Sequence, residues 1–67
     1  MGITVRQARV GAGYTIRQMA EKLGIHEQTY SKYEKHPESM TIEMAEKVAQ
    51  VTGVPMNNIV FLESISN

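Results

Sequence analysis

Three features of this 67-residue sequence predict an all-α domain of five short helices. Thr-x-x-Gln pairs stand just ahead of apolar periodic runs, glycines close those runs, and the apolar residues within them recur at spacings of three and four. A short apolar tail follows, and it looks extended.

Thr4 with Gln7 forms a capping box for a first helix through Val10, which Gly11 and Gly13 end. Thr15 with Gln18 repeats the device, and the second helix runs through Met19, Ala20 and Leu23 to a stop at Gly24. His26 falls at the next N-cap, opening a third helix from Glu27 to about Lys35. On its buried side Tyr30 and Tyr33 lie one turn apart, with their hydroxyls expected at the surface. Pro37 ends it. Thr41 then caps a fourth helix whose Ile42, Ala45, Val48, Ala49 and Thr52 make one stripe, closed by Gly53. Pro55 suits the first turn of a fifth helix, PMNNI, and VFLES reads as extended. No repeat, low-complexity tract or linker interrupts the chain, so residues 1–67 read as one domain with a core over about 4–60 and a tail at 61–67.

Composition narrows the function. A chain of this length is too short for the two-lobed cleft of most metabolic enzymes. It has no cysteine, so packing, caps and a partner chain must supply what disulfides or a thiolate metal site do elsewhere. No apolar run approaches the roughly 20 residues of a spanning helix, and MGITVRQARV lacks the apolar core of a secretory signal, which predicts a soluble cytoplasmic protein. The formal net charge is zero, yet its distribution is not even. Residues 1–36 hold Arg6, Arg9, Arg17, Lys22, Lys32 and Lys35 against Glu21, Glu27 and Glu34, a balance of +3. Residues 37–67 hold Lys47 against Glu38, Glu43, Glu46 and Glu63, a balance of −3. Such a split lets a domain turn a basic face toward nucleic acid and keep an acidic back.

The informative unit is the pair of helices around Gly24. Only Gly24, Ile25 and His26 separate Leu23 from Glu27, too few for antiparallel packing, so the helices must cross steeply as a helix-turn-helix. Ala20 is small where they approach, Gly24 tolerates positive φ, and Met19, Leu23, Ile25, Tyr30 and Tyr33 wedge the angle open. From Val5 to about Phe61 the chain resembles the small lambda-repressor-like domains of phage repressors, Cro proteins and regulators of the xenobiotic-response-element type. TIRQMAEKLGIHEQTYSKYEK and AEKVAQVTGVPMNNI carry the resemblance. It implies a five-helix lambda-repressor-like fold and a Cro-like, dimeric regulator of double-stranded DNA.

The resemblance also implies that the third helix reads the major groove with its N-terminal polar residues. Gln28 suits the adenine N6/N7 pair, Thr29 the thymine methyl, Lys32 guanine O6 or N7, and Glu27 cytosine N4. Backbone contacts then fall to Arg17 and Gln18 in the first turn of the second helix and to His26, Ser31, Lys35 and His36. Relatives often place Gln where this chain has Ile16, and Gly and basic residues in the loop where it has Lys35, His36, Pro37 and Glu38, which leave one lysine and an imidazole. Fewer phosphate contacts imply weaker monomer binding and a shallower salt slope. Arg9 and Glu34 match positions that form a structural ion pair in relatives.

Catalysis and metal binding find no support. His26 and His36, ten residues apart on a helix, stand about 15 Å from each other and cannot share a metal. Glu43 and Glu46 read as a solvated face, Met19, Met40, Met44 and Met56 as gap-fillers, and no nucleophile has a base at plausible spacing. No enzyme, cofactor, metal or small-molecule substrate is expected. The tail residues Ile59, Val60, Phe61 and Leu62 are consecutive and apolar, and either pair with a second copy or fold back on their own core. Another class of function is a protein-interaction module on the same fold, using the acidic half and the tail to bind a partner regulator.

Overall fold

The computed structural model describes residues 2–61. In order, a two-residue strand β1 (Ile3–Thr4) leads into helices α1 (Val5–Gly11), α2 (Ile16–Leu23), α3 (Glu27–Lys35) and α4 (Ile42–Thr52), and strand β2 (Ile59–Val60) follows. Single 3₁₀ turns at Pro37–Ser39 and Met56–Asn58 flank α4.

Local chemistry starts the first two helices as their spacing predicts. Thr4 Oγ1 accepts from Gln7 N at 3.0 Å while Gln7 Oε1 accepts from Thr4 N at 2.9 Å. Thr15 and Gln18 repeat this reciprocal pair at 3.1 and 3.0 Å, and Thr41 caps α4 by accepting from Met44 N at 3.1 Å. His26 occupies the N-cap position of α3, but its side chain makes no capping hydrogen bond, contrary to the capping role expected of it. An imidazole is bulkier and less suited to the short reach to a first-turn N–H than a hydroxyl or carboxylate.

Among the described residues there are four α-helices, not five. The predicted fifth, PMNNI, is one 3₁₀ turn over Met56–Asn58, closed by Asn58 N donating to Pro55 O at 2.9 Å. Five residues are too few to repay helix nucleation, and the asparagines favour turns. The next two residues are withdrawn into β2, which pairs in parallel with β1 in the register Ile3 to Ile59 and Thr4 to Val60. An extended segment therefore lies at 59–60, inside the domain, and pairs with Ile3 and Thr4, while residues 62–64 of the VFLES expected to be extended lie outside the described residues. Gly2 fits against it closely, since a Cβ there would collide with Val60 Cγ2.

The core gathers Val5, Met19, Ala20, Leu23, Tyr30, Val48 and Ile59, drawn from all four helices and β2. Two expectations fail here. Ile42 does not join the buried α4 stripe but is 73% exposed at the first position of the helix, where it lines an open groove with Ala45, Met56 and Phe61. The Tyr30 hydroxyl does not reach the surface: the whole side chain is buried, whereas Tyr33 is half-buried.

Candidate nucleic-acid interface

The connection between α2 and α3 is built by Gly24. Its φ of +73° and ψ of 31° lie in the left-handed region, which lets Ile25 N donate to Ala20 O at 3.0 Å and Gly24 N to Glu21 O at 3.1 Å. A Cβ at Gly24 would meet nothing within 4 Å, so backbone conformation alone, not crowding, calls for glycine. Met19, Ala20, Leu23 and Tyr30 fill the angle between the two helices, and Ile25 packs against them. α3 is thereby held with one face inward and the other toward solvent.

The inward face carries a polar network. Arg9 on α1 donates from Nε to Glu34 Oε2 at 2.6 Å and from Nη2 to Glu34 Oε1 at 3.4 Å, both side chains being about nine-tenths buried. Its Nη1 donates to the Tyr14 carbonyl at 2.9 Å, and the Tyr30 hydroxyl donates to Glu34 Oε2 at 2.6 Å. The hydrogen bond to Glu34 raises the Arg9 pKa above its ordinary value. Burial, reinforced by the Glu34 carboxylate, pushes the Tyr30 phenol up as well. Tyr14 O and Tyr30 Oη are members that the sequence reading missed. The i to i+4 spacing of Tyr30 and Glu34 on one helix was the available signal for the second.

The outward face gathers much of the predicted contact set. Glu27, Gln28, Ser31, Lys32, Lys35 and His36 line one open recess of about 470 Å³ along α3. Ser31 and Lys35, placed with backbone contacts by the sequence reading, thus lie beside Gln28 and Lys32. Thr29 is half-buried outside this group, and His26 is exposed ahead of it at the start of the helix. His36 ends α3 with Nδ1 3.4 Å from Glu38 Oε2. On α2, Arg17 is exposed, its Nε 3.9 Å from the equally exposed Glu21 carboxylate, too loose a pair to hold it. Gln18 spends Oε1 on the Thr15 cap, which leaves its amide NH₂ as a donor. Lys22 sits over the Tyr14 ring at 5.1 Å. Ile59 lies in the core, Val60 is partly exposed, Phe61 is half-buried against the core, and Leu62 lies outside the described residues. Among the described residues no group of acidic, histidine or cysteine side chains is placed to hold a metal, and no helix is long and apolar enough to cross a membrane.

A helix pair joined by three residues through a left-handed glycine, with an apolar wedge within and a polar, lysine-bearing face without, defines a helix-turn-helix domain. The sequence model of the family described as helix-turn-helix matches residues 5–59, and the chain belongs to that family, the DNA-binding regulators of Cro/CI, xenobiotic-response-element type. Such regulators are typically not enzymes. No curated protein and no solved structure gives a significant match to the chain.

Proposed function

We propose that the protein is a sequence-specific regulator of transcription, of phage or mobile-element origin, that binds operator DNA in the cytoplasm as a homodimer through residues 27–35. The observation that carries this reading is the two-faced α3. One side is pinned to α1 through Arg9 and Glu34, while the other offers Gln28, Ser31, Lys32 and Lys35 together to solvent. Gln28 would read adenine, Lys32 guanine and Thr29 a thymine methyl, with Glu27 accepting from cytosine. Arg17, Gln18, His26, Ser31, Lys35 and His36 would meet the backbone. With so few cations on this face, two half-sites about 34 Å apart on a two-fold axis supply the affinity that one copy lacks. Partly exposed Val60 and Phe61, continuing into Leu62, are the contacts we assign to the second copy.

Selection from random duplex DNA is the direct test. An enriched, two-fold sequence is expected, and flat binding at moderate salt would sink the reading. Gln28→Ala should lose about 1–3 kcal/mol of discrimination at one position, whereas Arg17→Ala should weaken all sequences alike and lower the salt slope by about 1.

A second reading, an interaction module for a partner regulator, is favoured by one feature of the acidic half. Pro37, Met40, Ile42, Ala45, Met56 and Phe61 line an apolar groove of about 210 Å³ beside Glu38. Binding of a partner regulator with no DNA selected would favour it.

A further inference from the structure

We infer that Tyr30 is a positioning residue for sequence reading, acting through its buried hydroxyl on the roll of α3. This rests on the DNA-reading role proposed for that helix. Tyr30 is fully buried, so its hydroxyl must find a partner inside the protein, and it finds Glu34 Oε2 at 2.6 Å. The same oxygen accepts from Arg9 Nε at 2.6 Å. One carboxylate oxygen thus stands between a donor on its own helix and a donor on α1. Arg9 continues the chain to the carbonyl of Tyr14, the residue before the Thr15 cap of α2. α1, α3 and the loop ahead of α2 thus meet at one ion pair.

The ion pair ties α3 to α1, but a glutamate on a helix has several rotamers from which to meet an arginine, and each would set a different roll. The hydroxyl of Tyr30, donated from one turn earlier on the same helix, selects one of them. Its ring is anchored in the core with Val5, Met19, Leu23 and Val48, so the selection is referred to the whole domain. The consequence appears on the opposite side of the helix. A roll of about 10° moves groups at the ~6 Å outer radius of a helix by about 1 Å. That displacement exceeds the tolerance of a paired hydrogen bond to a base edge, while a phosphate contact through a flexible Lys or Arg absorbs it. Loss of the hydroxyl should therefore cost discrimination before it costs affinity for DNA in general.

Tyr30→Phe keeps the ring and removes only the donor. On the protein alone, residual dipolar couplings should report a changed orientation of α3 relative to α1, and the Arg9 Nε–H should exchange faster with solvent. With DNA, affinity for the selected site should fall about three- to tenfold, a fraction of the worth of a hydrogen bond to a charged group, while affinity for random duplex stays unchanged. In a Glu34→Gln background, Tyr30→Phe should add little to either readout, because both substitutions act on one carboxylate. An unchanged helix orientation with unchanged Arg9 exchange would overturn the inference whatever DNA does, and so would an equal loss on selected and random duplex. If the unsubstituted protein selects no sequence at all, the DNA-reading role fails, whereas the helix-orientation measurement still decides whether Tyr30 positions α3.

Discussion

The two helices of the helix-turn-helix are held in opposite ways. α2 is finished by its own neighbours in sequence: Thr15 and Gln18 close its start and Gly24 closes its end. α3 has neither device. No side chain caps its start at His26, and it ends on His36 at φ −133° and ψ 71°, without a left-handed closure. What holds α3 is distant in sequence, namely the core around Tyr30 and the Arg9 guanidinium 25 residues before Glu34. A helix that only positions can be self-contained. On the proposal that α3 reads DNA, its first turn must stay unencumbered, which suits a restraint placed at its back.

Removing the distant restraint should therefore be the most damaging change. Glu34→Ala leaves Arg9 buried with only the Tyr14 carbonyl, and we expect a loss of about 3 kcal/mol, the low end of the range for a stranded buried charge. Urea unfolding followed by circular dichroism measures it, and a loss below 1 kcal/mol would mean that the pair does not hold α3. The same restraint has a pH signature. Burial and Glu34 raise the Tyr30 pKa above the ordinary value near 10, so the folded state keeps a proton that the unfolded state gives up. Its stabilisation is complete below pH 10 and fades as pH rises from there toward the folded-state value. The slope should reach at most about 1.4 kcal/mol per pH unit. Urea midpoints between pH 8 and 11 should show this decline in the native protein and a shallower one in Tyr30→Phe.

The local device should cost less. Thr15→Ala removes the acceptor for Gln18 N, and a loss of about 1 kcal/mol is expected, with α2 fraying detected as faster amide exchange at its first turn and not in α3. Comparable exchange in both helices would show that α3 depends on α2 for its start, and the contrast between them would dissolve.

These contrasts track what was legible in the sequence. The capping boxes and Gly24 obey rules of fixed spacing that need no tertiary knowledge, and the starts of α1 and α2 and the end of α2 followed from them. Pro55 to Ile59 satisfied a helix rule too, but β1 competed for Ile59 and Val60 from 56 residues away in register, a pairing no local rule contains. Ile42 was in phase with Ala45 and Val48, yet phase does not say where a stripe runs out onto an open groove. On α3 the face was readable from the alternation of Tyr30, Tyr33 and Glu34 with polar residues. Which residues share the outer recess was not, since Thr29 and Ser31 are both half-buried polar residues and only Ser31 lines it.

The smallest prediction is also the sharpest probe of the contrast. Thr4, Thr15 and Thr41 hold their N-cap backbones at φ near −72° to −75° and ψ near 161° to 167°, and His26 sits close to them at −73° and 151°. The backbone at the start of α3 is thus already shaped for a capping oxygen that histidine does not supply. His26→Ser should provide it, with Oγ accepting from Thr29 N, and stabilise the domain by about 0.5–1 kcal/mol. The same change removes an imidazole from the end of the helix assigned to phosphate contact, so affinity for random duplex should fall slightly as stability rises. A rise in urea midpoint with weaker DNA binding would mark His26 as a residue kept for contact at the expense of the cap. A rise in midpoint with unchanged binding would leave the missing cap without a function, and no rise at all would mean that the first turn of α3 is already fully restrained from behind by Tyr30 and Glu34.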